Sequence, residues 1–146
     1  MFIRRLAVSA LCLVVGACAH ATKEAPVQYL DANPTYPFSG VVRVGGMLYL
    51  SGQIGTDSSG NVVPGGIRNE TRQAMFNIQR LLEQNGSSMA HVVRCTAMLA
   101  DMRDWTAMNE VYALFFPNHK PARSAFGATG LALGARVEIE CMATAG

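Results

Sequence analysis

The side chains best suited to chemistry lie in one stretch near the C-terminus, residues 121–141, which reads PARSAFGATGLALGARVEIEC. Arg123 stands there among small and apolar residues, and Glu138 follows it fifteen positions later. A guanidinium group can bind a small carboxylate through two parallel hydrogen bonds, and a carboxylate can position a water molecule for attack. Arg123 is therefore a candidate anchor for an acidic substrate, and Glu138 is a candidate catalytic carboxylate.

The strand-like segment that carries Glu138 leaves two interpretations of this residue open. Side chains alternate along a strand, so Arg136, Glu138 and Glu140 share one face while the apolar residues between them share the other. The polar face could be an ordinary solvated face on which Arg136 forms a salt bridge. It could equally line a cleft in which Glu138 acts on water. Periodicity alone is compatible with both.

Several common catalytic and binding motifs are missing from the sequence. The three histidines share no ligand spacing and there is no CxxC pair, so no zinc site is predicted. There is neither a G-x-S-x-G nucleophile motif nor a glycine-rich phosphate loop. The formal net charge of +2 is too small to indicate a nucleic-acid partner.

The segments that must position these residues show strand and helix patterns in turn. Two β-rich runs flank Gly45 and Gly46, which predicts a hairpin. Apolar residues at helical spacing predict helices over residues 67–84 and 104–116. Further strands are predicted over residues 91–100, 121–129 and 136–143. This order predicts an α+β fold in which two helices pack on one face of a mixed sheet.

The first 36 residues differ in pattern from the rest of the chain. Residues 1–17 combine two arginines with a short apolar run, which is typical of a signal peptide and too short to span a membrane. The small residues before Cys18 resemble a lipoprotein cleavage site; ordinary secretory cleavage nearby is the alternative. Residues 18–36 are predicted to form a tether and loop, followed by a single domain over residues 37–146. We therefore expect an exported, periplasmic protein that a lipid on Cys18 anchors to the outer membrane.

Two further cysteines, Cys95 and Cys141, lie in predicted strands. They could form a disulfide in an oxidising compartment. Because free cysteine behaves as a small hydrophobic residue, we expect two buried thiols instead.

Four stretches together resemble the Rid family of enamine/imine deaminases, also called the RidA or YjgF family. They are P-A-R-S-x-F with the Glu of V-E-I-E-C, the run VRVGGMLYLSGQIG, and the two predicted helices. The resemblance spans about residues 27–144. It implies a chorismate-mutase-like fold and a homotrimer whose clefts lie between subunits. It also implies hydrolysis of 2-enamino or 2-imino acids to 2-oxo acids and ammonia without a metal or organic cofactor.

The resemblance also implies roles for individual residues. Arg123 would bind the substrate carboxylate, and Glu138 would orient or polarise the attacking water. Three further matched residues would line the cleft: Ser51, Gly52 and Asn109. Two substrate-binding positions differ, because Phe38 stands where the family often has Tyr and Ala125 stands where it often has Cys. We expect these two differences to affect substrate range and catalytic rate, while Arg123 still binds the substrate carboxylate.

Three functions remain open from the sequence, and the deaminase is the favoured one. The second is a non-catalytic trimer that binds small carboxylates such as 2-oxo acids, which the differences at Phe38 and Ala125 and the predicted export would favour. The third is an envelope trimer that acts through its surface as a scaffold or chaperone. Its only support is the apolar composition, which a core and subunit contacts already explain.

Overall fold

A mixed sheet of seven strands is the framework of the structure, a computed structural model that describes residues 25–146. The strands are β1 (Val27–Ala32), β2 (Ser39–Val44), β3 (Met47–Leu50), β4 (Gln53–Ile54), β5 (Val92–Leu99), β6 (Ala122–Gly127) and β7 (Val137–Thr144). Their order is β1-β2-β3-β7-β5-β6, and β4 also pairs with β7. Only β5 and β6 run parallel among these pairs, so the predicted mixed sheet is confirmed.

The two predicted helices are present, and the second is shorter than expected. Helix α1 spans Ile67–Gln84, as predicted, and the chain leaves it through Gly86 at a φ of 73°. Helix α2 spans Trp105–Tyr112 and continues only as a tight turn over Ala113–Phe115. Pro117 disfavours helical backbone in Phe116, the residue before it, and so accounts for the end of this turn. Within the part of the chain that the structure describes, neither helix is long and apolar enough to cross a membrane.

The N-terminal segment contains a strand where we predicted a loop. Residues 27–32 form β1, which pairs antiparallel with β2 and packs Leu30 against the core. The prediction of a loop is wrong for these six residues. An edge strand that buries one side chain has no strong alternation to reveal it. The predicted leader, residues 1–17, and the predicted lipidation site, Cys18, lie outside the described residues.

Strand β7 shows which face of the sheet the helices cover. Its residues alternate between buried and half-buried along the whole strand, and the buried ones, such as Val137 and Ile139, join the core. That core also contains Met75 and Ile78 of α1 and Met108 of α2. The half-buried residues of β7, among them Glu138, therefore point away from the helices.

A disulfide joins Cys95 of β5 to Cys141 of β7, where we expected two separate thiols. The two residues are direct partners in the antiparallel register, with their Cα atoms 4.1 Å apart. Strand pairing across 46 positions of sequence produces this proximity. Sequence spacing alone carries no information about it.

Candidate active site

Arg123 lies on β6 with its guanidinium against helix α2. Its Nη2 atom donates a 2.6 Å hydrogen bond to Oδ1 of Asn109, and its Cζ atom lies 4.6 Å from the centre of the Tyr112 ring. A second aromatic ring, that of Trp105, is 5.5 Å away. No carboxylate among residues 25–146 forms a salt bridge with Arg123. Neutral groups thus hold the guanidinium in place, and its positive charge is available to bind an anionic ligand.

Arg123 opens into a cavity of about 300 Å³, here called the arginine cavity. Its lining includes Asn109, Tyr112, Phe116, Lys120, Pro121 and Arg123, and contains no acidic side chain. The Tyr112 hydroxyl is buried and has no hydrogen-bond partner among the described residues. Burial raises the pKa of Tyr112 to about 12, although the nearby Arg123 charge opposes this. The hydroxyl is therefore protonated at neutral pH and can act as a hydrogen-bond donor.

Glu138 lies on the other face of the sheet, beside Gly52. A methyl group added at Gly52 would sit only 2.8 Å from Cδ of Glu138, so the close approach requires glycine. The neighbouring Ser51 donates a 2.7 Å hydrogen bond from Oγ to the carbonyl oxygen of Ser39. Gly52 thus lies against the Glu138 carboxylate, and Ser51 precedes it in the chain.

A β-bulge creates this arrangement. Along β7, Tyr49 of β3 pairs with Met142, whereas Gln53 of β4 pairs with Ile139. The chain advances four residues from Tyr49 to Gln53, whereas their partners on β7 are only three residues apart. One extra residue therefore lies within positions 50–52, between β3 and β4. Bulges bend a strand and redirect its side chains, often beside active sites. Here the bulge brings the backbone of Gly52 against the Glu138 carboxylate.

The second group of candidate residues borders a larger opening of about 560 Å³, here called the aromatic cleft. Ser51 lies at its edge together with Phe38, which stacks on Tyr36 with ring centres 5.3 Å apart. Tyr29 also lines this cleft and is 70% exposed. The walls are largely apolar, and the rings of Tyr29 and Phe38 lie mostly open to solvent.

The structure thus places the predicted residues in two separate groups, one on each face of the sheet, here called half-sites. Arg123 and Asn109 share the arginine cavity on the helix side of the sheet. The remaining matched residues lie on the other face: Glu138 contacts Gly52, and the adjacent Ser51 lines the aromatic cleft with Phe38. Ala125 follows Arg123 on the same face of β6 and packs against the core. One chain alone does not bring Arg123 and Glu138 together.

Three features of the cavity were missed in the sequence. Tyr112 and Trp105 surround Arg123, and Lys120 lines the same cavity. Tyr112 was detectable in principle, because it follows Asn109 at the i,i+3 spacing that puts two residues on one helix face.

Arg136 forms a salt bridge with Asp104, with Nη2 and Oδ2 2.7 Å apart, which agrees with the interpretation of Arg136 as a salt-bridged residue on a solvated strand face. Residues 25–146 contain no cluster of three or more potential metal ligands.

Known proteins resemble this chain over nearly all of the described residues. The family model described as Endoribonuclease L-PSP matches residues 30–145. A protein from Mus musculus named 2-iminobutanoate/2-iminopropanoate deaminase is 43% identical over 111 residues, which cover 75% of this chain and 82% of that protein. The crystal structure of yeast Mmf1 has a TM-score of 0.74 and 31% identity, and the match covers 85% of this chain and all of that one.

The relatives contradict the predicted periplasmic location. Two relatives have names that state an intracellular compartment: Reactive Intermediate Deaminase A, chloroplastic, from Arabidopsis thaliana is 37% identical over 109 residues, and Protein mmf1, mitochondrial, from Schizosaccharomyces pombe is 36% identical over 121 residues. The prediction of an exported protein anchored to the outer membrane is therefore wrong. The pattern on which the prediction was based, a short apolar stretch after two arginines, is not specific enough to indicate export.

The family itself follows from agreement at three levels. The matched motifs, the mixed sheet with its two helices, and a relative with 43% identity all indicate the same group of proteins. The chain belongs to the Rid (RidA/YjgF) family of enamine/imine deaminases, the family whose model is described as Endoribonuclease L-PSP.

Proposed function

We propose that this chain hydrolyses 2-imino acids, and the 2-enamino acids in equilibrium with them, to 2-oxo acids and ammonia. The observation that carries the proposal is the state of Arg123. It is fixed by Asn109 and Tyr112, faces a cavity without acidic residues, and has no carboxylate partner within residues 25–146. Such an arginine is prepared to bind the carboxylate of a small acid through two hydrogen bonds.

The binding contribution of Arg123 is moderate. Each hydrogen bond to a charged group contributes roughly 1.5–3 kcal/mol, so a two-pronged contact contributes about 3–6 kcal/mol before the costs of association. Net affinity in the millimolar range or somewhat better follows. This suits an enzyme whose substrates are scarce and intrinsically reactive.

The chemical step needs a positioned water molecule and a proton acceptor. The water oxygen bonds to C2 while the C=N double bond becomes a single bond. The tetrahedral intermediate then expels ammonia as the C2–O bond becomes double, and both water protons end on nitrogen. In the proposal, Glu138 takes a proton from the water and returns it to nitrogen, which is general acid–base catalysis. No covalent intermediate on the protein is required.

The positions of the two half-sites favour an active site that is shared between copies of the chain. Arg123 faces α2, whereas Glu138 points away from the helices, so the sheet separates them within one chain. We propose that Arg123 of one copy meets Glu138 of the next copy in a homotrimer. The face of the sheet away from the helices supports such assembly, because its apolar residues are exposed: Tyr29 is 70%, Tyr49 41% and Phe126 50% accessible.

The direct test is turnover of imines generated in place by an amino-acid oxidase from alanine or 2-aminobutanoate. We expect the wild-type chain to accelerate release of the 2-oxo acid, and Arg123→Ala to lower kcat/KM by about a hundredfold or more, since the two-pronged contact is lost. Arg80→Ala removes an exposed arginine of α1 that donates to Gln84 instead, and serves as the matched control.

Two results of this assay would contradict the proposal. Binding of 2-oxo acids without any turnover of imines would favour the carboxylate-binding protein, and would point to Phe38 and Ala125 as the reason. Cleavage of RNA in a parallel assay, abolished by Arg123→Ala and unaccompanied by imine hydrolysis, would favour the activity in the family model's name.

A further inference from the structure

The arginine cavity contains a second cation that the proposed reaction does not use. Lys120 lines the cavity together with Arg123, three positions further along the chain. Neither residue forms a salt bridge with a carboxylate of residues 25–146, and no acidic side chain lines the cavity. Two positive charges that share one cavity without a counterion favour an anionic ligand with two charged groups.

A neutral donor accompanies the two cations. The Tyr112 hydroxyl belongs to a residue that is only 7% exposed, lines the same cavity, and has no hydrogen-bond partner in the described part of the chain. A buried hydroxyl without a partner loses free energy, because its hydrogen bond to water is not replaced. A ligand oxygen that reaches this hydroxyl would supply the missing partner.

The cavity is also larger than the smallest substrates need. A volume of about 300 Å³ is at the lower end of the range typical of small-molecule sites. A three-carbon imino acid held at Arg123 would leave much of it to water. A five-carbon acid can extend from Arg123 while keeping its carboxylate anchored there.

We propose that the arginine cavity selects imino acids with a second carboxylate, of the kind formed by oxidation of dicarboxylic amino acids. Arg123 binds the carboxylate next to the imine, and Lys120, with the Tyr112 hydroxyl, binds the carboxylate of the substrate side chain. This inference rests on the proposed function and adds its substrate class. Lys120 is exposed, so its effect is modest and depends on the ligand already being held by Arg123.

The test compares two substrates that differ only in the second carboxylate. An amino-acid oxidase forms 2-iminoglutarate from glutamate and 2-iminopentanoate from norvaline, and kcat/KM is measured for both. We expect the wild-type chain to favour 2-iminoglutarate, and Lys120→Met to lower the ratio of the two kcat/KM values by about fivefold. Lys120→Arg keeps the positive charge and should largely preserve the ratio.

A matched control separates this local effect from a change in overall charge. Arg80→Met removes one positive charge from the exposed surface of α1, outside the cavity, and should leave the ratio unchanged. Tyr112→Phe deletes only the hydroxyl and should lower the ratio. An unchanged ratio in Lys120→Met, or an equal loss for both substrates, overturns the inference.

Failure of the proposed function remains distinguishable from failure of this inference. Binding of the stable 2-oxo acids 2-oxoglutarate and 2-oxopentanoate is measured by calorimetry, which needs no turnover. Tighter binding of 2-oxoglutarate that is lost in Lys120→Met supports the inference even if no imine is hydrolysed. Hydrolysis of 2-iminopentanoate with equal binding of the two oxo acids leaves the deaminase in place and overturns the selectivity.

Discussion

Arg123 remains available to an anion because its neighbours hold the guanidinium without neutralising it. Asn109 accepts a hydrogen bond from it, and Tyr112 presents a ring face to it. A carboxylate in either place would already have formed the salt bridge that the substrate is meant to form. Arg136 illustrates the contrast, since its guanidinium already forms a salt bridge with Asp104.

The burial of Tyr112 leads to a prediction about alkaline pH. Its pKa is raised from 10.0 to about 12 in the folded chain, mainly by burial. The unfolded chain therefore releases this proton first, so the contribution to stability is complete below pH 10 and is lost as the pH rises toward 12. We expect the free energy of unfolding in urea to fall less between pH 9.5 and 11.5 for Tyr112→Phe than for the wild type.

The absorbance of phenolate at 295 nm checks the same assignment. A component that titrates near pH 12 in the folded wild type should be missing from Tyr112→Phe. If both proteins show identical titration curves and identical alkaline loss of stability, the Tyr112 hydroxyl is not buried as the structure describes.

At the scale of secondary-structure elements, the bulge between β3 and β4 sets the position of the Glu138 carboxylate. We expect Gly52→Ala to lower kcat/KM at least tenfold, because the added methyl group would lie 2.8 Å from Cδ of Glu138 and displace it. Gly46→Ala is the control, since a methyl group at that position meets no atom within 4 Å. Kinetics and melting temperature are measured for both variants.

A double variant identifies the cause of any loss of stability. If Gly52→Ala melts lower than the wild type because of contact with Glu138, then adding Glu138→Ala should recover part of the melting temperature. Wild-type kcat/KM in a folded Gly52→Ala protein would show that the bulge does not position the catalytic carboxylate.

Strands β5 and β7 are joined by the Cys95–Cys141 disulfide, which closes a long loop across the sheet. For a sequence separation of 46 residues, restriction of the unfolded chain contributes up to about 4 kcal/mol. We expect the Cys95→Ala/Cys141→Ala variant to lose part of this amount in chemical unfolding relative to the oxidised wild type. Peptide mass spectrometry without reductant should find the two cysteines linked; free thiols at both positions in the purified native protein would refute the pairing.

At the scale of the whole molecule, the two half-sites predict that inactive variants complement each other. Arg123→Ala retains the Glu138 half, and Glu138→Gln retains the Arg123 half. In equally mixed cyclic trimers, about a quarter of the shared sites would combine two intact halves. We expect co-expression of the two variants to recover activity up to that fraction of the wild type, whereas either variant alone stays inactive.

Light scattering and a second mixture control the complementation experiment. The wild-type chain should have the mass of three copies. Co-expression of Arg123→Ala with an Arg123→Ala/Glu138→Gln double variant contains no intact arginine and should recover nothing. Absence of recovery in mixed trimers that are shown to form would place both catalytic groups within one copy and contradict the shared site.

The sequence by itself determined the local elements and the chemical types at the site. Alternation and helical spacing depend on neighbouring residues, so the hairpin around Gly45, helix α1 and strand β7 were predicted closely. The motifs around Arg123 and Glu138 identified the family, since four stretches in the right order rarely coincide by chance.

Only the tertiary structure decided how these elements meet. The pairing of β1 with β2, the contact of Cys95 with Cys141, and the opposite facing of Arg123 and Glu138 all depend on which strands become neighbours. Such pairings join residues that are far apart in sequence, and no local periodicity encodes them. For the same reason, the presence of Lys120 and Tyr112 in the arginine cavity became visible only in the folded chain.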